Sequence, residues 1–371
     1  MRTTKIKVDL GAMRHNIAAL RKRAPNSGIM AIIKANGYGH GMLETANVCV
    51  SEGVEMLGVA YATEGAELRR AGITLPITCI VPVPAWEADA LFDNDLQTTI
   101  ASLACAKNLN ELAEKRRIKL KAHLFVNTGM NRDGIKPEQA LGFMKEAQKL
   151  DNLDIVGLCT HFATSDSADE TFALEQARKF DDCLKELNAA GYEFKYVHAA
   201  NSSAVLKFPQ THYNLLRPGI AIYGYMSERD QAEAMGLKPA MEILTKVIKI
   251  QYVKKGETVG YGLRYIAEKD SKIAVIPLGY GDGFTRAFTN SGVCLIKGKK
   301  YRLAGTVCMD QCMVEIGQDD IHQGDDVILM GRDAEGNEIS VYDLAGIANT
   351  IPYEITTLLS KRIPRVYEHG R

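Results

Sequence analysis

The stretch Ala31–Gly41, AIIKANGYGHG, decides how the chain is read. An apolar run from Ile29 to Ile33 ends at Lys34, and Gly37, Gly39 and Gly41 follow, with Tyr38 and His40 among them. The run reads as a buried strand. The glycines read as a tight turn leaving its C-terminal end. A lysine at a strand tip beside a polar crevice can lose affinity for its proton through burial and act as a nucleophilic amine. The commonest use of such an amine is a Schiff base with a carbonyl or with pyridoxal phosphate. A solvated lysine before an ordinary glycine turn is the plainer alternative, and the surrounding chain decides between the two.

Outward from this stretch the pattern repeats. Short apolar runs lie at 5–10, 56–60, 77–81, 96–100, 120–126, 155–159, 196–198 and 215–222. Between them fall helical segments, among them 11–22, 43–51, 63–71 with Thr63 as a candidate cap, 102–116, 137–150 and 170–190. Strands alternating with helices imply parallel βα units. About eight of them over some 200 residues predict a (β/α)8 TIM-type barrel, with its chemistry at the C-terminal ends of the strands. Near Lys238 the pattern becomes mainly β, with runs at 243–253, 273–278, 293–296, 301–303, 313–316 and 327–330 and one helix at 341–349. The expected domains are a barrel over 1–237 and a mainly β domain over 238–371.

The 371 residues are 46% hydrophobic and carry no net charge. That suits a large core and argues against a nucleic-acid or anionic-membrane surface. No run is long enough to span a bilayer, and MRTTKIKVDL lacks a signal-peptide core, so the expected location is cytoplasmic. The eight cysteines form no C-x-x-C pair and read as reduced structural thiols. No metal site is signalled.

Several strand ends carry candidate chemistry. Arg132, in NTGMNRDG, can hold a carboxylate or phosphate bidentately, or make a surface ion pair. His161, in THFATSD, suits a proton relay, an orienting group or a structural histidine. Ser202, in HAANSSA, opens a helix where backbone N–H groups lack partners. Arg217 precedes Pro218-Gly219-Ile220, where the N–H groups of Gly219 and Ile220 can hold a phosphate. Loops after the seventh and eighth barrel strands are the usual phosphate site of this fold. In the β region Tyr261, Tyr280 and Tyr353 read equally as functional or packed aromatics. Met309 reads first as core.

These motifs in order, Lys34 with RDG at 132–134, RPGI at 217–220, YG at 261–262 and CMD at 308–310, resemble the alanine racemases over nearly the whole chain. The resemblance implies that Lys34 carries pyridoxal phosphate and is the base on one face of the substrate. Tyr261 of the partner subunit is the base on the other face, in a homodimer with shared sites. Tyr38, Ser202, Gly219, Ile220 and Tyr353 hold the phosphate, and Arg217 faces the pyridine nitrogen. Arg132 and Met309 of the partner subunit bind the substrate carboxylate. His161 links Arg217 to Tyr261, and Tyr280 lines the entrance. The implied activity interconverts L- and D-alanine, supplying D-alanine for peptidoglycan. Two positions depart from the family pattern. Phe125 stands where many members have a lysine that becomes carbamylated, and Asn127 where an aspartate is common. Orientation of Arg132 then falls to Asn127 or to a nearby carboxylate or anion. The alternatives are a racemase of another amino acid such as serine, a barrel decarboxylase of a basic amino acid, and a pyridoxal-phosphate-binding protein without turnover.

Overall fold

A computed structural model describes residues 2–369. The chain forms two compact units. One holds Met13–Gly37 and Met42–Lys238; the other holds the residues up to Ala12, Tyr38–Gly41 and the chain from Pro239 onward.

After a first strand, β1 (Lys5–Asp9), the larger unit contributes eight parallel strands. They are β2 (Gly28–Ile32), β3 (Met56–Val59), β4 (Ile77–Cys79), β5 (Gln97–Ile100), β6 (Leu120–Phe125), β7 (Leu153–Cys159), β8 (Tyr196–His198) and β9 (Leu215–Leu216). Their order is β8-β7-β6-β5-β4-β3-β2-β9. Outside that ladder, Arg217 N–H donates to Ala200 O at 2.8 Å and Val197 N–H to Asn214 Oδ1 at 2.7 Å, drawing β8 and β9 together. The result is a nearly closed barrel. β3, β4 and β5 are buried at every residue, which is why these runs do not alternate. Intervening helices begin and end on local signals. In Leu103–Arg116, Ser102 Oγ accepts the Cys105 N–H at 3.2 Å and Arg117 takes a left-handed φ of 57°.

The second unit is mainly β. Its strands are β10 (Met241–Lys246), β11 (Lys249–Val253), β12 (Ser271–Ile276), β13 (Val293–Ile296), β14 (Lys299–Arg302), β15 (Cys312–Gly317), β16 (Asp326–Arg332), β17 (Glu338–Ile339) and β18 (Arg365–Glu368). One sheet runs β14-β13-β16-β10-β1-β18, with β17 on β16; a second runs β11-β12-β15. β1 thus pairs antiparallel with β10 and parallel with β18, outside the barrel. Its composition explains this: Ile6 and Val8 are buried while Lys5 is exposed, the alternation of a strand with one buried face.

Four local expectations change. The run 243–253 is two strands in different sheets, because the chain leaves one ladder after Lys246 and enters the other at Lys249. Only Leu215–Leu216 of the run 215–222 is strand, since Pro218 interrupts it and a 3-10 turn follows at Ile220–Tyr223. The helix expected to be capped by Thr63 starts at Ala62, and Glu64 reaches back to the Tyr61 N–H at 3.2 Å. A second helix, Pro352–Thr357, follows the expected one at Val341–Ala348. Among the described residues no helix is long and apolar enough to cross a membrane.

Candidate active site

β2 delivers Lys34 two residues past its last paired position. The turn that follows is left-handed: Ala35, Asn36, Gly37 and Tyr38 have φ of 52°, 54°, 61° and 51°. Three of the four carry a side chain, and each such residue costs roughly 1–2 kcal/mol, less for asparagine. Local bonds hold the shape. Ala35 N–H donates to Glu64 Oε1 at 2.7 Å, Gly37 N–H to Ile33 O at 2.9 Å, and Met42 N–H to Asn36 Oδ1 at 3.2 Å. Glu64 also accepts the Ala60 N–H at 2.8 Å, so one carboxylate ties the Lys34 turn to the end of β3. The sequence reading missed Glu64; its position in the first turn of a helix was the available signal. Burial, then the Arg132 guanidinium, pulls the Lys34 ammonium below its ordinary range, and the Glu64 carboxylate opposes them.

Arg217, just past β9, is buried and held from several sides. Its Nη1 donates to His198 Nδ1 at 2.7 Å and His198 O at 2.6 Å. Its Nη2 reaches Thr160 O at 2.5 Å, Ala199 O at 3.1 Å and His161 Nδ1 at 3.1 Å. No carboxylate is among these acceptors, and among the described residues none serves its Nε–H. Burial, then the charge of Arg217, pushes His161 down to about 3, with Arg132 and Lys34 adding to the effect. Lys34, Arg132, His161 and Arg217 therefore share one electrostatic neighbourhood. Beside them Ser202 Oγ accepts the N–H groups of Gly219 at 3.0 Å and Ala221 at 3.3 Å. The Gly219 N–H, offered to an anion by sequence, is spent on this hydroxyl, whose own proton can be donated onward. Ile220 opens a 3-10 turn, where a backbone N–H has no intrahelical partner.

The loop after β6 is organised by Asn127. Its Oδ1 accepts the N–H groups of Gly129 and Asn131, both at 3.1 Å, and its Nδ2 donates to Asn131 Oδ1 at 3.2 Å. Arg132 Nε donates to Asp133 Oδ2 at 3.1 Å. The neighbouring carboxylate, rather than residue 125, holds the guanidinium. Phe125 is buried against Gly134, where a Cβ would meet its ring at 2.6 Å.

In the β unit, Tyr261, Tyr280 and Met309 lie on turns held by hydrogen bonds to backbone carbonyls. Thr306 Oγ1 donates to Tyr261 O at 2.7 Å, Tyr280 N–H to Cys308 O at 3.0 Å, and Gly281 N–H to Met309 O at 2.9 Å. A Cβ on Gly279 would lie 2.2 Å from Cys308 O, so only glycine permits that approach. Tyr261 is 73% exposed and Met309 52%, which excludes the core reading of the methionine. Leu263, Ile266 and Tyr280 are exposed as well. Tyr38 and Tyr353 also belong to this unit and pack with ring centroids 6.2 Å apart.

Pyridoxal phosphate fits the barrel unit group by group. Lys34 suits its aldehyde, the Ser202 hydroxyl and Ile220 N–H suit its phosphate, and the unspent Arg217 Nε–H suits an unprotonated pyridine nitrogen. Fold and site define the class: a barrel enzyme of pyridoxal phosphate.

Comparison with known proteins narrows this. Residues 8–227 match the alanine racemase N-terminal domain and residues 240–367 the alanine racemase C-terminal domain. The chain is 40% identical to an alanine racemase of Carboxydothermus hydrogenoformans, over 99% of this chain and all of that protein. The crystal structure of alanine racemase from D-cycloserine-producing Streptomyces lavendulae superposes with a TM-score of 0.95 at 33% identity, covering 100% of this chain and 98% of that one. An alanine racemase of Clostridium difficile 630 in complex with cycloserine gives 0.91 at 33%, covering 100% and 96%. The chain belongs to the alanine racemase family, whose members are amino-acid isomerases dependent on pyridoxal phosphate.

Proposed function

We propose that this chain interconverts L- and D-alanine as a homodimer, in the cytoplasm, and supplies D-alanine for peptidoglycan. Pyridoxal phosphate, when bound, supplies the electron-accepting ring that acidifies the substrate α-proton. Lys34 holds the cofactor, and its Nζ takes or returns the α-proton on one face. Tyr261 of the partner subunit does the same on the other face, because one base does not easily reach both sides of a planar centre. Both groups are protonated at neutral pH when free, so each needs its site to loosen its proton. For Lys34 that need is met by burial and by Arg132. Tyr38, Ser202, Gly219, Ile220 and Tyr353 hold the phosphate. Gly219 acts by donating to Ser202 Oγ, which leaves the hydroxyl proton for the anion. Arg132, braced by Asp133, and Met309 of the partner subunit receive the substrate carboxylate. His161 links Arg217 to Tyr261, and Tyr280 lines the entrance.

The observation that carries the reading is Arg217. Its acceptors are carbonyls and imidazoles, so its positive charge stays uncompensated at the pyridine position. A guanidinium gives up no proton, so the ring nitrogen stays unprotonated and the ring is a weaker electron sink. That favours prompt return of the α-proton over transamination or decarboxylation. The homodimer draws support from the exposed Tyr261, Leu263, Ile266, Tyr280 and Met309, an apolar set that a monomer rarely leaves to water.

The test incubates L-alanine in D2O with the protein and pyridoxal phosphate, with L-serine and L-lysine in parallel. Deuterium at Cα with appearance of D-alanine is expected. Tyr261→Phe should impair conversion from one enantiomer far more than from the other. Exchange only with serine or lysine would move the substrate, and release of CO2 would point to a decarboxylase.

A further inference from the structure

Behind Arg217 lies a row of buried polar side chains that the proposed chemistry does not use. His198 Nε2 is 2.9 Å from His123 Nδ1, and His123 Nε2 is 2.9 Å from Gln97 Oε1. Gln97, His123 and His198 stand on three strands of the barrel, β5, β6 and β8, and all are buried.

The proton positions follow by elimination. A guanidinium only donates, so His198 Nδ1, facing Arg217 Nη1, carries no proton. A neutral ring then holds its proton on Nε2, which donates to His123 Nδ1. His123 therefore carries its proton on Nε2 and donates to Gln97 Oε1. Four groups give three hydrogen bonds running one way, from Arg217 to the Gln97 amide. The barrel wall makes room for the row. A Cβ on Gly157, which pairs with His123 across β7 and β6, would lie 2.1 Å from His123 Nδ1.

We propose that Gln97, His123 and His198 are positioning residues for Arg217. Their one-way ladder fixes the guanidinium with acceptors that are neutral, leaving its charge and its Nε–H for the bound cofactor. The Gln97 carbonyl sets the direction: without an acceptor there, His123 gains by moving its proton to Nδ1. That places two N–H groups face to face at His198, whose ring must then turn an N–H toward Arg217. This rests on the racemase reading for its consequence in catalysis, and on the geometry alone for the ladder.

The test uses full-length protein labelled with 15N-histidine and long-range 15N–1H correlation spectra at pH 7.5. Without cofactor, both His123 and His198 should appear as neutral Nε2–H rings. An Nδ1–H ring or an imidazolium at either position would overturn the ladder. In Gln97→Leu at least one ring should change tautomer, and kcat for alanine should fall about tenfold with KM moved less than threefold. Gln97→Glu, which keeps an acceptor in place, should retain the wild-type tautomers and most of kcat. Equal losses in both variants with unchanged tautomers would reduce Gln97 to packing. If Gln97→Leu does not fold, the wild-type and Gln97→Glu spectra still decide. Correct tautomers in a protein that racemises nothing would defeat the racemase reading and leave the ladder intact.

Discussion

Arg132 shows how far a single residue can be read. Its place past a strand in NTGMNRDG was visible, and so was the departure at Phe125. What holds it was not, because that depends on a turn closed by the Asn127 side chain. With Asp133 as the brace, Asp133→Asn should raise KM for alanine about threefold and leave kcat within twofold, as suits an exposed pair worth 0.2–1 kcal/mol. Steady-state kinetics in both directions checks this. A KM unchanged within error would transfer the orienting role elsewhere. Phe125→Lys should not improve binding, and the buried ammonium should lower stability by roughly 3 kcal/mol or more. Urea unfolding measures that cost. The thiols divide in the same way. Burial pushes Cys49, Cys79, Cys159, Cys183 and Cys294 up to about 12. Iodoacetamide on the native protein at pH 8 should therefore leave these five unmodified, which peptide mass mapping would show.

At the scale of elements, the strand–helix alternation was legible because buried parallel strands such as β2 and β3 write themselves as apolar runs. The turn after Lys34 was only half legible. Its glycines announced positive φ, but Ala35, Asn36 and Tyr38 share that conformation without such a signal. The turn is held by bonds from the Ala35 N–H to Glu64 and from the Gly37 N–H to Ile33, contacts that no pattern of apolar residues encodes. Ala35→Gly should accordingly stabilise the protein by about 0.5–1 kcal/mol, since glycine adopts φ of 52° without strain. The opposite sign would mean that added freedom in the unfolded chain outweighs the relieved strain. Gly157→Ala should cost about 1–3 kcal/mol by overpacking His123.

For the whole molecule, the two buried histidines of the ladder, with His161, contribute a pH dependence. Burial, then the charge of Arg217, pushes His123 down to about 3 and His198 well below its ordinary 6.5. Both rings bind fewer protons folded than unfolded. Their contribution is therefore fully present above pH 6.5 and is lost as pH falls from there toward the folded values. Proton uptake by both rings in the unfolded chain should therefore destabilise the protein between neutral pH and pH 5.5. Thermal unfolding from pH 7.5 to 5.5 should show a falling Tm. A flat profile would mean that the rings are charged in the native protein. Motif order and the change to β near residue 238 pointed to two parts of the chain. The placement of β1 was less visible, because partners more than 200 residues away leave no local trace. That placement has a consequence for synthesis. The larger unit lies in chain order between β1 and β10, two neighbouring strands of one sheet, and is complete in sequence by about residue 238. At 5–20 residues per second, β1 waits roughly 10–50 s on the ribosome before β10 emerges to pair with it. During that interval Ile6 and Val8 lack the sheet that buries them in the finished fold.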